Sequence, residues 1–131
     1  MIGSGTGCCN RLKFNMSRLE DEDRLYHILE SSREAVGYAQ GRTRKDLETD
    51  RPFTHSLVRC LEVVGEAASK ISKEFRQAHP QIAWDDMISM RHKLIHAYFK
   101  INLNIVWRTV QEELPALIAE LEKILEKDST E

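Results

Sequence analysis

Apolar residues return at intervals of three and four along most of this chain, a period that marks helices rather than strands. Leu25, Ile28, Leu29, Ser32 and Val36 fall on one stripe. Ser17, with Glu20 three residues later, has capping-box spacing, in which two side chains satisfy unbonded N–H groups at a helix start. The first helix is therefore expected to open there and to stop near Gly41, where glycine takes the left-handed conformation at little cost. Phe53, Leu57, Cys60, Leu61, Val64, Ala68, Ile71 and Phe75 make a longer stripe. Pro52 suits the first turn of that helix, and His79-Pro80 ends it. Its opposite face carries Arg59, Glu62, Glu66, Lys70 and Lys73.

A shorter third helix is expected from Trp84, with Asp85 and Asp86 favourable in its first turn. The last helix follows Asn102 or Asn104 and continues to about Lys127. Leu103, Val106, Val110, Leu114, Leu117, Leu121, Ile124 and Leu125 form its stripe, and Pro115 should kink or divide it. Residues 42–50 read as a charged connection. No segment alternates as a strand would. The pattern predicts an all-α antiparallel bundle of four main helices plus short connecting helices.

Composition narrows the class without naming a function. With 131 residues the chain is one domain's worth, long enough to bury roughly 65–70% of its unfolded surface. Hydrophobic residues at 41% and charged residues at 31% fit a globular protein. A net charge of −2 argues against nucleic-acid binding by bulk charge, though not against a local basic site. No apolar run approaches the roughly 20 residues of a membrane-spanning helix. Cys8 and Cys9 are adjacent and Cys60 stands alone, which is neither a disulfide framework nor a metal knuckle. With no charged-then-apolar leader, the expected location is the cytoplasm. Residues 1–15, rich in Gly, Ser and Thr, are expected to be a disordered N-terminal extension. Met16 is then a candidate for the native start, and residues 16–128 the folded domain.

One segment differs from an ordinary helical bundle: Arg91-His92-Lys93-Leu94-Ile95-His96-Ala97-Tyr98. Arg91 offers a permanent charge and a planar fork of donors matched to phosphate. His96 can exchange a proton near neutral pH, and Tyr98 supplies a hydroxyl that can accept a group. On an ideal helix Arg91 and His96 stand about 140° apart. Converging on one phosphate requires a helix end here or a second subunit, and a symmetric dimer would supply the latter. His92 and His96 have the spacing of a helical metal pair. No third ligand is evident, and no metal or cofactor is expected.

The spacing Arg91-x4-His96-x-Tyr98 resembles the R-x4-H-x-Y motif of HepT-like proteins, a branch of the HEPN superfamily. Val64-Gly65-Glu66-Ala67-Ala68 is similar to that family's I-G-E-A-A stretch. Met90-Arg91 with Leu94-Ile95-His96 resembles its M-R-x-x-L-I-H segment, and residues 103–114 its L-x-I-V-W-x-T-V-x-x-x-L continuation. The resemblance implies a HEPN-like homodimeric bundle acting as a metal-independent endoribonuclease, the toxin of a toxin–antitoxin pair. The implied partner is an MNT-type nucleotidyltransferase antitoxin, which transfers AMP from ATP to the motif tyrosine. Carried onto this chain, Arg91 and His96 are the catalytic pair and Tyr98 the AMP acceptor. His92, Lys93, Lys100 and Glu66 are candidates for RNA binding or support. Many HEPN nucleases carry Asn where this chain has His92, which leaves that position's role open. The competing reading is a non-catalytic subunit that binds substrate or nucleotide for a minimal nucleotidyltransferase.

Overall fold

The computed structural model describes the backbone of residues 2–96 and 101–129 and the side chains of residues 19–94 and 101–126. Among the described residues every regular element is helical, and no helix is long and apolar enough to cross a membrane. The order is α1 (Ile2–Tyr38), α2 (Asp46–Thr49), α3 (Arg51–Lys70), α4 (Lys73–Ala78), α5 (Trp84–His96), α6 (Leu103–Arg108) and α7 (Leu114–Ser129). A π-helical turn, Thr109–Glu113, joins the last two.

The apolar stripes close into two clusters that fix the direction of each helix. The first holds Leu25, Ile28 and Leu29 of α1, Val64, Ala67 and Ala68 of α3, Trp84, and Leu121, Ile124 and Leu125 of α7. The second holds Ala35 and Ala39, then Phe53, Leu57 and Leu61, then Leu94, and finally Val106, Val110 and Leu114. Thus α1 and α5 run from the first cluster to the second, while α3 and the α6–α7 unit run back. This is the antiparallel four-helix arrangement expected from the periodicity, with α3 packed against both α1 and α5. Burial of one such Leu, Ile or Phe side chain contributes about 1.5–3 kcal/mol.

Three boundaries differ from the sequence reading, each for a local reason. The backbone of α1 is already helical at Ile2, so Ser17 does not start the helix. Within a continuous helix its orphan N–H groups find carbonyls in the preceding turn, and a cap has nothing to satisfy. The stripe running to Phe75 is broken after Lys70. Ser72 adopts an extended conformation (φ −61°, ψ 150°) and its hydroxyl accepts from the Phe75 N–H at 3.2 Å, opening α4 as a separate helix. Buried Asp21 of α1 holds that break, accepting from the Ser72 N–H at 2.8 Å and from its hydroxyl at 2.5 Å.

The charged connection contains α2, whose Leu47 is buried in the second cluster. Arg42 organises this stretch: it reaches Asp46 at 3.3 Å and Asp50 at 2.6 Å, and lies 4.2 Å from the Phe53 ring centroid. Asp50 also caps α3, accepting from the Phe53 N–H at 3.2 Å, with Pro52 in the first turn. The last helix begins and divides as expected: of the two candidate caps, Asn102 starts α6 by accepting from the Asn104 and Ile105 N–H groups. Pro115 then divides the last helix: it has no N–H to give and its ring would strike the carbonyl four residues back. The preceding turn widens, so that the Leu114 N–H bonds the Thr109 carbonyl. Gly41 stands where the first stop was expected, with φ +72°.

Two outcomes test this construction. Asp21→Ala leaves the Ser72 donors without their acceptor and should cost about 1–3 kcal/mol, read as a lower urea midpoint; an unchanged midpoint would deny the tether. For the second, the hydrogen bond from Arg42 holds the Asp50 carboxyl below its ordinary 3.8. The Thr43 N–H, followed by Arg42, does the same for Asp46. A depressed folded-state pKa contributes stability that is complete above the unfolded value and lost as pH falls through the folded one. Melting temperature should therefore fall on acidification below about pH 4, and Asp50→Asn should flatten that limb; parallel acid curves would contradict it.

Candidate functional site

Residues 91–96 of the motif segment occupy the last described turns of α5. Three features set the position and rotation of α5. At its start, Trp84 is buried; its indole N–H donates to the His79 carbonyl at 2.9 Å and its ring stands edge-on to Phe75, centroids 6.1 Å apart. Near its end, Leu94 is buried in the second cluster. Between them Met90 packs on the same cluster, with its sulfur 3.7 Å from the Thr109 hydroxyl of the π turn. That hydroxyl also donates to the Ile105 carbonyl at 2.7 Å.

A close approach of α3 to α5 lies at Gly65. A Cβ built on this residue would collide with Arg91 Cβ, stand 2.8 Å from the Met87 carbonyl oxygen and 3.3 Å from Arg91 Cγ. The α3 backbone therefore lies directly against the root of Arg91. A glycine inside a helix costs about 0.5–1 kcal/mol relative to alanine, and here only its missing side chain permits the crossing. Neighbouring Gly37, by contrast, has nothing within 4 Å of such an atom.

With Leu94 turned inward, the polar residues of the segment are distributed around the rest of the helix. Arg91 is half-buried at the edge of the α3–α5 contact, while His92 and Lys93 are exposed. Among the described residues no carboxylate pairs with Arg91 or Lys93. Cationic groups are thus presented to solvent beside the helix end. Glu66, one residue along from the crossing, is exposed and pairs with Lys70 at 3.4 Å. Such an exposed i,i+4 pair adds little stability, and Glu66 is not brought against Arg91 by any described contact. The backbone of His96 lies in α5; its side chain, with Tyr98 and Lys100, lies outside the described residues.

Gly65 is the residue that a search for reactive groups passes over. It lies within the Val64–Ala68 stretch, where Glu66 draws attention by its charge. The available signal was a lone glycine inside an otherwise regular helical pattern, which marks a close backbone approach. Cys60, by contrast, behaves as its place on the stripe suggested. It is buried, and burial, followed by the nearby Glu34 charge, pushes its thiol up to about 11.

The family model for Ribonuclease HepT-like proteins matches residues 28–124, from the first core turn of α1 to the end of the α7 stripe. A protein of Caldanaerobacter subterraneus subsp. tengcongensis, whose name proposes an RNase, is 38% identical over 104 residues, covering 79% of this chain and 93% of its own length. One of Thermococcus cleftensis, whose name proposes a ribonuclease HepT, is 38% identical over 100 residues, covering 73% and 91%. One of Methanocaldococcus jannaschii, again named as a proposed RNase, is 37% identical over 101 residues, covering 77% and 84%. No solved structure matches the chain. A family match spanning most of both core clusters, with relatives this similar over most of both lengths, establishes that the chain belongs to the Ribonuclease HepT-like family.

Proposed function

We propose that this protein is a metal-independent endoribonuclease, the toxin of a HEPN/MNT-type toxin–antitoxin pair. The observation that carries this reading is Arg91, a half-buried cation without a described carboxylate partner, rooted against Gly65 in the last turns of α5. It stands in a chain whose family and relatives are ribonucleases by name.

The reaction uses the RNA's own 2′-hydroxyl. A base removes its proton, the 2′-oxygen attacks the adjacent phosphorus, and the bond to the 5′-oxygen breaks as an acid protonates that oxygen. The products are a 2′,3′-cyclic phosphate and a 5′-hydroxyl. Arg91 stabilises the charge that develops on the phosphoryl oxygens, where a fixed cation is most effective. His96 carries the proton as general base or general acid. Two proton transfers need two groups, and a two-fold homodimer brings a histidine from each subunit. Because the nucleophile is internal, no metal is required to generate it. Exposed Lys93 extends the cationic surface along which the RNA backbone lies, and His92, Lys100 and Glu66 are the further candidates for RNA binding or support.

Regulation follows from Tyr98. Its phenolic oxygen displaces pyrophosphate from ATP in a reaction run by an MNT-type nucleotidyltransferase, leaving AMP on the toxin. A bulky nucleotide two residues from His96 blocks the RNA and places negative charge where the substrate phosphate would bind.

The test is cleavage of a total-RNA and tRNA panel with chelator present, after intact mass shows that the sample carries no added nucleotide. Wild type should cut at least one RNA. His96→Ala should lose about 10²–10⁴-fold in rate, and Arg91→Ala about 10²–10³-fold. Unmodified, folded wild type that leaves every RNA intact would overturn the ribonuclease reading in favour of a nucleotide-binding subunit of the transferase.

A further inference from the structure

The crossing of α3 and α5 imposes a constraint on the chemistry. We infer that Gly65 is a positioning residue for Arg91, and that the absence of a side chain at residue 65 sets where the guanidinium meets the scissile phosphate. This rests on the ribonuclease reading and goes beyond it by assigning a role to a residue that touches no substrate.

Residue 65 bears on two points of α5 one turn apart. A Cβ there would stand 2.8 Å from the Met87 carbonyl oxygen and would overlap Arg91 Cβ, with Arg91 Cγ at 3.3 Å. Neither clash can be relieved at the flexible end of a side chain. One involves backbone, and the other involves the first carbon of Arg91, which moves only with the helix. In the same turn of α5 the Met90 sulfur lies 3.7 Å from the Thr109 hydroxyl and Met90 packs on the second cluster, a further contact that a shift of the helix would disturb. An added methyl group must therefore shift or rotate α5 at residue 91. A displacement near 1 Å at a charge-stabilising group can cost about a hundredfold in rate, whereas binding of RNA through exposed His92 and Lys93 is largely kept. The wild-type contact has its own consequence: the stem of Arg91, pressed against the α3 backbone, occupies one staggered well about χ1.

The experiment compares wild type, Gly65→Ala and Ala68→Gly. The last loosens the same helix in the first apolar cluster, away from Arg91. Metal-free cleavage is measured below every melting transition. Gly65→Ala should lower kcat about tenfold to a hundredfold with little change in KM, the signature of an interaction lost in the transition state. Ala68→Gly should keep the wild-type kcat even with a comparable fall in melting temperature. Equal kcat in Gly65→Ala and wild type, or equal losses in the two variants, would overturn the positioning role while leaving the ribonuclease intact. Wild-type inactivity would instead remove the ribonuclease reading itself. Side-chain NMR couplings of wild-type Arg91 keep the inference open to refutation even if Gly65→Ala does not fold. A single χ1 rotamer supports it, and averaging like that of exposed Arg59 overturns it.

Discussion

Where α3 meets α5 there is room at residue 65 for a hydrogen atom, and a methyl group would strike both the Met87 carbonyl and the root of Arg91. Helices normally pack with axes about 8–10 Å apart because side chains hold them off; a glycine lets one backbone approach the base of the other helix's side chains. The α5 helix is consequently located at three heights: by Trp84 near its start, by Gly65 against Met87 and Arg91, and by Leu94 in the second cluster near its end. A rigid helix held at three points presents its remaining residues in a fixed order. Arg91 comes to the seam and His92 and Lys93 to solvent, so the candidate chemistry depends on packing made by residues that take no part in it.

The rest of the bundle supports that placement from a distance. The two clusters divide the up-down-up-down arrangement into halves, and the motif end of α5 belongs to the half built on Phe53, Leu57 and Leu61. The start of α3, which carries Phe53, is secured by Asp50 at its cap and by Arg42 over its ring. On the opposite side the widened turn before Pro115 sets Thr109 against Met90. A π turn is rare and is often found beside functional sites; here it joins α6 to α7 and brings the Thr109 hydroxyl to Met90 of α5.

Much of this was legible in the sequence because the governing interactions are periodic or local. Leu25, Ile28 and Leu29, the α3 stripe and the last stripe needed only the 3.6-residue repeat, while position before an apolar run narrowed the last cap to Asn102 or Asn104. The break at Ser72 was hidden because its decisive partner, Asp21, lies 51 residues away, and no proline or glycine marks it. Buried Leu47 was masked by the charges around it, whose pairing with Arg42 turns a polar connection into structure. For the site, the motif named Arg91 by residue type and spacing. Gly65 carries no chemistry of its own, and although a lone glycine in a helical pattern stands out, which atoms it admits is visible only once α5 lies against it. Glu66 illustrates the opposite case: charge made it conspicuous, yet it faces solvent beside Lys70.

The central claim, that this fold presents a cation and a histidine to a phosphate attacked by its own neighbouring hydroxyl, is tested most directly by the ends of the cleaved RNA. Fragments produced in chelator should be resolved by mass spectrometry. The account predicts 2′,3′-cyclic phosphate on the upstream fragment and a free 5′-hydroxyl on the downstream one, with no cleavage where the scissile nucleotide is 2′-deoxy. A 3′-hydroxyl facing a 5′-phosphate, or cutting at the deoxy position, would contradict it, because either outcome requires a nucleophile from outside the RNA.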